Sequence, residues 1–335
     1  MNDNADARKW RNPQSVENAG AERIAASLTR GVELRNKAAA GWALGTFVIE
    51  CPTPSTLNLL ALAGFDFVVI DMEHSSVGVQ GLETLITAAH ATGLAALVRP
   101  WGEDNGLIGK ALDMGANGIM APRVESPEQA LAIVEQARFA PLGNRGFSPL
   151  AKFDSLHEPL GRLDESTYVV VQIEGRRALD RIGEIALIPG IDAVFVGPYD
   201  LALSLGVPPG SKQVFAAAEQ LAKAVPRDRA LGIYIDDPAL CGDWAARRFA
   251  LQCVSFDGRM KFGADGNLYV AVFGQGDITI LGRAGAVVGR LETEGAMPTN
   301  LVFGPRGEKK IYVTEVVTGS VQILDVVTGG LPLHD

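Results

Sequence analysis

The stretch FDFVVIDMEHSSVG, residues 65–78, carries an apolar run into a knot of ionisable groups: Asp71, Glu73 and His74. A carboxylate beside an imidazole can fix its tautomer and raise its basicity. That makes His74 a candidate general base near neutral pH, with Asp71 as its partner. A packing histidine bonded to a loop carbonyl would show the same spacing. Glu73 reads as a residue that orients its loop and is assigned no chemistry. The other three histidines sit elsewhere: His90 in a helical pattern, His157 in a long polar loop and His334 in the tail.

Similar runs end in similar groups. LVRP delivers Arg99, QIEG delivers Gln172 and Glu174, and GPYD delivers Gly197, Tyr199 and Asp200. LDMG places Asp113 ahead of another run, which ends at Arg123. Glu174 and Asp200 are the natural metal pair, because two carboxylates plus water hold Mg²⁺ or Mn²⁺ and leave positions open for substrate. Solvated or arginine-bonded rim carboxylates are the alternative. No second His or Cys lies close enough for a tight zinc site, so a hard ion is favoured. Arg99 cannot lose its proton and suits a developing oxyanion, a role compatible with a salt bridge to a neighbouring strand-end carboxylate. The backbone N–H groups of Tyr199 and Asp200 suit a small carboxylate nest. No lysine ends any of these runs; Lys110 and Lys152 fall in helix and loop. A Schiff-base mechanism is therefore disfavoured and metal-assisted enolisation preferred.

The elements that position these groups follow from periodicity. Val/Ile/Phe/Ala runs at 43–49, 65–72, 94–100, 117–124, 168–175, 192–200, 230–236 and 251–257 alternate with stretches of helical period. PSTLNLLALAG, GLETLITAAHATG, SPEQALAIVEQARF and PALCGDWAARRF read as helices, several opening on Ser or Pro and closing on Gly. The strands are apolar on both faces, as parallel strands covered by helices must be. This alternation predicts an α/β fold, a (β/α)8 TIM barrel, whose strand C-termini would gather the ionisable groups on one rim. The competing doubly wound sheet would want a Gly-rich phosphate loop after its first strand, and there is none.

Near residue 258 the helical period stops. Short alternating strands broken by Asp-Gly and Thr-Gly turns take over. KFGADGNLYVAVFGQGDITIL and VFGPRGEKKIYVTEVVTGSVQIL echo each other at about the spacing of a propeller blade. Two blades cannot close a propeller. The chain therefore divides into a polar N-terminal extension (1–31), a barrel (32–257) and a partial β-propeller segment (258–335). The extension is read as a helix or as an upstream start artefact.

Composition limits the classes. The 335 residues are 47% hydrophobic and carry a net charge of −9, which speaks against nucleic acid as a partner. No apolar run is long enough for a membrane span, and the polar first thirty residues do not read as a secretory signal. Cys51, Cys241 and Cys253 are expected to be buried free thiols in a reducing cytoplasm.

Taken in order, IDMEHSSVG, LVRP, LDMGANGIMAPRVESPEQA, PLGNRGF, VQIEG and PGIDAVFVGPYDLALSLG resemble the HpcH/HpaI aldolase family, the metal-dependent class II pyruvate aldolases, over about residues 32–257. The resemblance implies a (β/α)8 barrel with a divalent metal (Mg²⁺, Mn²⁺ or Co²⁺) on Glu174 and Asp200, chelated by the carboxylate and keto oxygen of pyruvate. It implies that Arg99 stabilises the enolate oxygen and that His74, paired with Asp71, moves the proton of the aldol hydroxyl. Gln172 would line the pyruvate site together with Gly197 and Tyr199. Asp113 would come from a loop that frames the mouth, often of a neighbouring subunit in a homo-oligomer. The implied reaction is reversible cleavage of a 4-hydroxy-2-oxo acid to pyruvate and an aldehyde. Arg123 and the 143–165 loop are expected at the aldehyde end. A citrate-lyase-like enzyme acting on a coenzyme A thioester is the rival within the same fold, and a catalytically impaired fusion is the non-enzyme rival.

The tail is similar to the last blades of the senescence-marker/gluconolactonase/luciferin-regenerating propellers. Only Asp257 could match one of that family's metal ligands, and it fits the end of the eighth barrel strand as well, so lactonase activity is not expected. The aldolase family continues after its eighth strand with helices that support oligomers. Their replacement by β-structure predicts unpaired edges, an exposed apolar face, and weakened folding or assembly.

Overall fold

The computed structural model describes residues 19–101, 106–148, 159–282, 286–305 and 307–330. Lys152, His157, His334, part of the 143–165 loop and most of the N-terminal extension lie outside the described residues. Eight strands pair in parallel and in sequence order: β1 (Ala43–Val48), β2 (Phe67–Asp71), β3 (Ala95–Arg99), β4 (Gly118–Ala121), β5 (Tyr168–Ile173), β6 (Ala193–Val196), β7 (Ala230–Ile235) and β8 (Phe249–Phe256). β8 pairs with β1 and closes the barrel. All eight expected strands are present, most of them shorter than their apolar runs. β6 stops at Val196 because Gly197-Pro198 opens the helix Pro198–Leu205, with proline at a position whose N–H would be unpaired anyway. Tyr199 and Asp200 thus lie in the first turn of a helix, not at the end of a strand.

Strand parity decides what faces inward. Phe67 and Val69 of β2, Ala95 and Leu97 of β3, Tyr168 and Val170 of β5, and Ala193 and Phe195 of β6 pack inside the barrel. Two residues further along the same parity stand Asp71, Arg99, Gln172 and Gly197. The polar groups thus continue the interior packing upward at the strand C-termini. The opposite parity, including Val68, Ile70, Ala96, Val98, Val169, Val171, Val194 and Val196, packs against the helices. Helix starts carry the expected chemistry: Thr53 caps Pro54–Leu62 and Ser126 caps Pro127–Ala137 through their hydroxyls.

The floor is closed from the N-terminal side. Residues from Ala19 onward are helical (Ala19–Leu28, then Arg30–Ala40), and Leu34 joins the barrel interior. A β-carbon at Gly31 would lie 1.5 Å from the Ser166 carbonyl oxygen, so this close crossing requires glycine.

Beyond β8, Asp257 accepts backbone N–H bonds from Ile49 (2.9 Å), Glu50 (2.9 Å), Cys51 (2.7 Å) and Gly258 (3.0 Å). It is a structural staple between β8 and the end of β1. Two antiparallel sheets follow. The first is β12-β11-β10-β9, from β9 (Met260–Phe262), β10 (Leu268–Val272), β11 (Asp277–Leu281) and β12 (Val287–Glu292). The second is β13 (Pro298–Phe303), β14 (Lys310–Glu315) and β15 (Ser320–Asp325), in that order.

The first sheet is not an exposed orphan. Met260, Leu268, Val270, Val272 and Leu281 belong to the same apolar cluster as the barrel's outer layer. Tyr269, Ala271 and Ile278 point the other way and pack on Leu301, Ile311 and Val313 of the second sheet. The barrel wall is covered, which removes the ground for expecting weakened folding. The expected edges and exposed apolar groups are found on the open sheets: β12 is an edge strand with Val288 59% exposed, and the outer face of the second sheet exposes Val302 (55%), Val321 (62%) and Ile323 (55%). One expected thiol is also corrected. Cys241 and Cys253 are buried, but Cys51 is exposed because β1 has ended and the chain is looping toward its next helix.

Candidate active site

Asp71 is fully buried, and both its oxygens hold Arg99: Nε to Oδ1 at 2.8 Å and Nη2 to Oδ2 at 2.6 Å. The two residues are register partners on β2 and β3, so the fork-to-fork geometry follows from strand pairing. Burial works against the Arg99 charge, but Asp71 and nearby Glu73 outweigh it and hold the pKa above the ordinary value. The guanidinium also lies 4.7 Å over the ring of Phe47.

This corrects the expected Asp71–His74 pair. Asp71 meets His74 through the backbone, accepting its N–H at 3.3 Å together with that of Glu73 at 2.9 Å. The carboxylate nearest the imidazole is Glu73, whose Oε2 is 3.8 Å from Nε2. Glu73 is 7% exposed in its side chain, with Oε2 3.6 Å from Arg99 Nε and Oε1 3.0 Å from Arg123 Nη2. A residue assigned no chemistry therefore sits among three cationic or titratable groups. Its position two residues past Asp71, in a tight turn beyond the strand, left no periodicity to reveal that.

Glu174 follows β5 and is nearly buried. Its Oε2 accepts the Arg123 N–H at 3.1 Å. That N–H is aimed by a left-handed backbone at Arg123, φ 49°, uncommon for a side chain of this kind. On the other side, a β-carbon at Gly197 would fall 2.3 Å from Glu174 Oε1, so the missing side chain makes the space for the carboxylate. Burial first, and then the charge of Asp200, raise the Glu174 pKa to about 7. Two carboxylates crowded in a poorly solvated place, in a hard-oxygen donor set, fit a divalent cation. Among the described residues no three His, Cys, Asp or Glu side chains group as a metal site. The fit is therefore to a two-carboxylate site completed by water or substrate.

His74, Arg99, Gln172, Glu174, Gly197, Tyr199 and Asp200 all line one cavity of about 240 Å³ at the strand C-termini. Gln172 is buried there with its Oε1 lacking any hydrogen-bond partner. Asp71 supports the cavity from behind. Arg123 stands on the rim, its side chain 60% exposed and paired with Glu73. Asp113 does not reach the mouth of its own chain. It is the last residue of the helix Gly106–Asp113, which leads into the N-terminal end of β4 and so lies at the opposite face of the barrel, paired with Arg145 at 2.9 Å.

Other lining groups were not anticipated. Tyr234, Phe256 and Arg259 line the same cavity, and Asp236 joins them by accepting from Tyr199, from Tyr234 at 3.1 Å and from Arg259 at 2.8 Å. Asp236 follows β7 directly, so the strand-end rule applied to YID would have found it.

The family model described as HpcH/HpaI aldolase/citrate lyase matches residues 45–260. A 2-dehydro-3,6-dideoxy-6-sulfogluconate aldolase of Pseudomonas putida is 32% identical over 241 residues, covering 69% of this chain and 93% of the relative. A pyruvate aldolase of Rhizobium etli is 36% identical over 211 residues, covering 61% and 79%. Among solved structures, the HpcH/HpaI aldolase from Desulfitobacterium hafniense superimposes with a TM-score of 0.63 at 28% identity, covering 67% of this chain and 90% of that one.

Proposed function

The chain belongs to the HpcH/HpaI aldolase/citrate lyase family, and on that premise we propose that it is a metal-dependent aldolase that reversibly cleaves a 4-hydroxy-2-oxo acid to pyruvate and an aldehyde. The observation that carries this reading is the convergence of His74, Arg99, Gln172, Glu174 and Asp200 on one small cavity. The named aldolases among its relatives support the same reaction class.

Glu174 and Asp200 would hold Mg²⁺, Mn²⁺ or Co²⁺. When bound, such an ion supplies Lewis-acid polarisation of the oxo group. The chain's own residues do the rest. His74, at the solvent edge of the cavity, takes the proton from the 4-hydroxyl as the C3–C4 bond breaks and the carbonyl of the aldehyde forms. The bonding pair passes into the three-carbon fragment as an enolate, and Arg99, fixed by Asp71, faces the developing negative charge. A proton then returns to C3 to give pyruvate. Gln172, with an unpaired buried Oε1, orients the oxo acid through a bridging water, whose O–H its amide oxygen accepts. Glu73, between Arg99 and His74, keeps the imidazole near the cavity.

The test is pyruvate release from a 4-hydroxy-2-oxo acid, coupled to lactate dehydrogenase, with each ion in turn and with EDTA, on the wild type and Glu174→Ala. Turnover that needs an ion and vanishes in Glu174→Ala supports the aldolase. Folded protein that turns over nothing with any ion sinks it and directs attention to thioester substrates.

A further inference from the structure

The catalytic cavity has one wall that the barrel strands do not make. Arg259 lines it from the short turn Asp257–Arg259, where the C-terminal sheets begin. Only 9% of Arg259 is exposed. Its guanidinium is clasped between the rings of Phe256 and Phe273, at 4.5 and 4.7 Å from their centroids. Phe273, from the turn after β10, also packs edge-on against Tyr199 at 6.3 Å. Nη1 donates to Asp236 at 2.8 Å, whereas Nε is buried with no hydrogen-bond partner. Asp236 meanwhile accepts from the hydroxyls of Tyr199 and Tyr234, so its single negative charge is shared among three donors. A guanidinium cannot shed its proton to relieve burial, and a buried donor without a partner is costly. Nε itself is sealed from solvent, but Arg259 borders the cavity and, among the described residues, its charge is met only by the thrice-shared Asp236, which favours an anion on the cavity side.

We infer that Arg259 binds an anionic group of the substrate, so that the C-terminal segment supplies a specificity-determining residue to a cavity otherwise built by the barrel. The substrate's identity rests on the aldolase reading; the binding of an anion does not. A carboxylate reaches this wall from one of two sources, the oxo-acid end itself or a second anionic group at the acceptor end, and both offer the same oxygens.

Calorimetric titration of the full chain with pyruvate and with 2-oxoglutarate, in the presence of Mn²⁺, separates them. Arg259→Met is expected to weaken binding about ten- to a hundredfold, the worth of a charge-assisted hydrogen bond, and Arg259→Lys is expected to retain part of it. A loss shared by both acids assigns Arg259 to the oxo-acid carboxylate. A loss confined to 2-oxoglutarate assigns it to the second carboxylate. Because Arg259→Met strands the Asp236 charge, the double variant Asp236→Asn/Arg259→Met is measured beside it, and decides the matter if the single variant does not fold. Affinities for both acids within about twofold of wild type in the folded variants, or a wild type that binds neither acid, would overturn the inference. A wild type that binds these acids in an Arg259-dependent way but releases no pyruvate from any 4-hydroxy-2-oxo acid would instead remove the aldolase reading and leave Arg259 as an anion site.

Discussion

Gly197 and Glu174 are fitted to one another: a β-carbon on the glycine would stand 2.3 Å from the carboxylate Oε1 and 2.8 Å from its Cγ. The pair comes from adjacent strands, with Glu174 following β5 and Gly197 following β6. Gly197→Ala must therefore displace the Glu174 carboxylate while leaving both proposed ligand residues chemically unchanged. Metal affinity is expected to fall about 10- to 100-fold, as when other supports of a ligand are altered. Titration with Mn²⁺ measures it, and an unchanged affinity would mean that Glu174 has another place to go.

Glu174 also sets a pH dependence. Its folded-state pKa of about 7 lies above the ordinary value of 4.5. Between those values the folded chain binds a proton that the unfolded chain does not. The contribution of Glu174 to the stability of the metal-free protein is therefore full below the ordinary value and is lost as pH rises through about 7. A cation displaces the proton, so its affinity rises with pH up to about 7 and then levels. Melting of EDTA-treated protein against pH, and proton release on Mn²⁺ binding, check the two signs.

Asp71 and His74 are expected to part company under mutation. Asp71→Ala leaves the Arg99 guanidinium buried with, among the described residues, only the longer 3.6 Å contact to Glu73, at a cost of about 3 kcal/mol in denaturant unfolding. His74 has a side chain 62% exposed, so His74→Ala should leave the melting temperature near wild type. Its effect belongs in kcat, about 10²- to 10⁴-fold for loss of a general base. Equal loss of stability in both variants would contradict the division.

The two faces of the tail sheets predict opposite outcomes for one substitution. Val270 is fully buried against the barrel cluster, while Val321 is 62% exposed on the outer sheet. Val270→Asp is expected to cost about 3 kcal/mol or more, and Val321→Asp almost nothing. Urea unfolding of the full chain distinguishes them. A harmless Val270→Asp would show that the tail does not pack on the barrel as described.

The barrel was legible because its information is local. Each strand announces itself as a short apolar run, and the period of two then carries Asp71, Arg99 and Gln172 inward at the same height. What was not legible depended on direction and on distant chain. Asp113 precedes its strand, and residues before a barrel strand belong to the opposite face, a rule the motif LDMG obscured. Nearness in sequence matches Asp71 with the histidine three residues away, whereas strand pairing gives it the arginine 28 positions on. Arg259 lies just past the point where the helical grammar stops. Its neighbours in space, Asp236 and Phe273, come from the barrel and from the tail, and no single stretch of sequence holds both.

Asp257 gathers four backbone N–H groups at the seam between the last strand and the first. The join between the two parts of this molecule is therefore not a tether. The chain leaves the barrel already clamped, and its direction is settled before its first new strand begins. Such a join lets the antiparallel sheets follow without reopening the closed ring, and holds them beside the cavity at the strand C-termini. The same carboxylate that seals the ring thus fixes the position from which the downstream strands stand as an added wall.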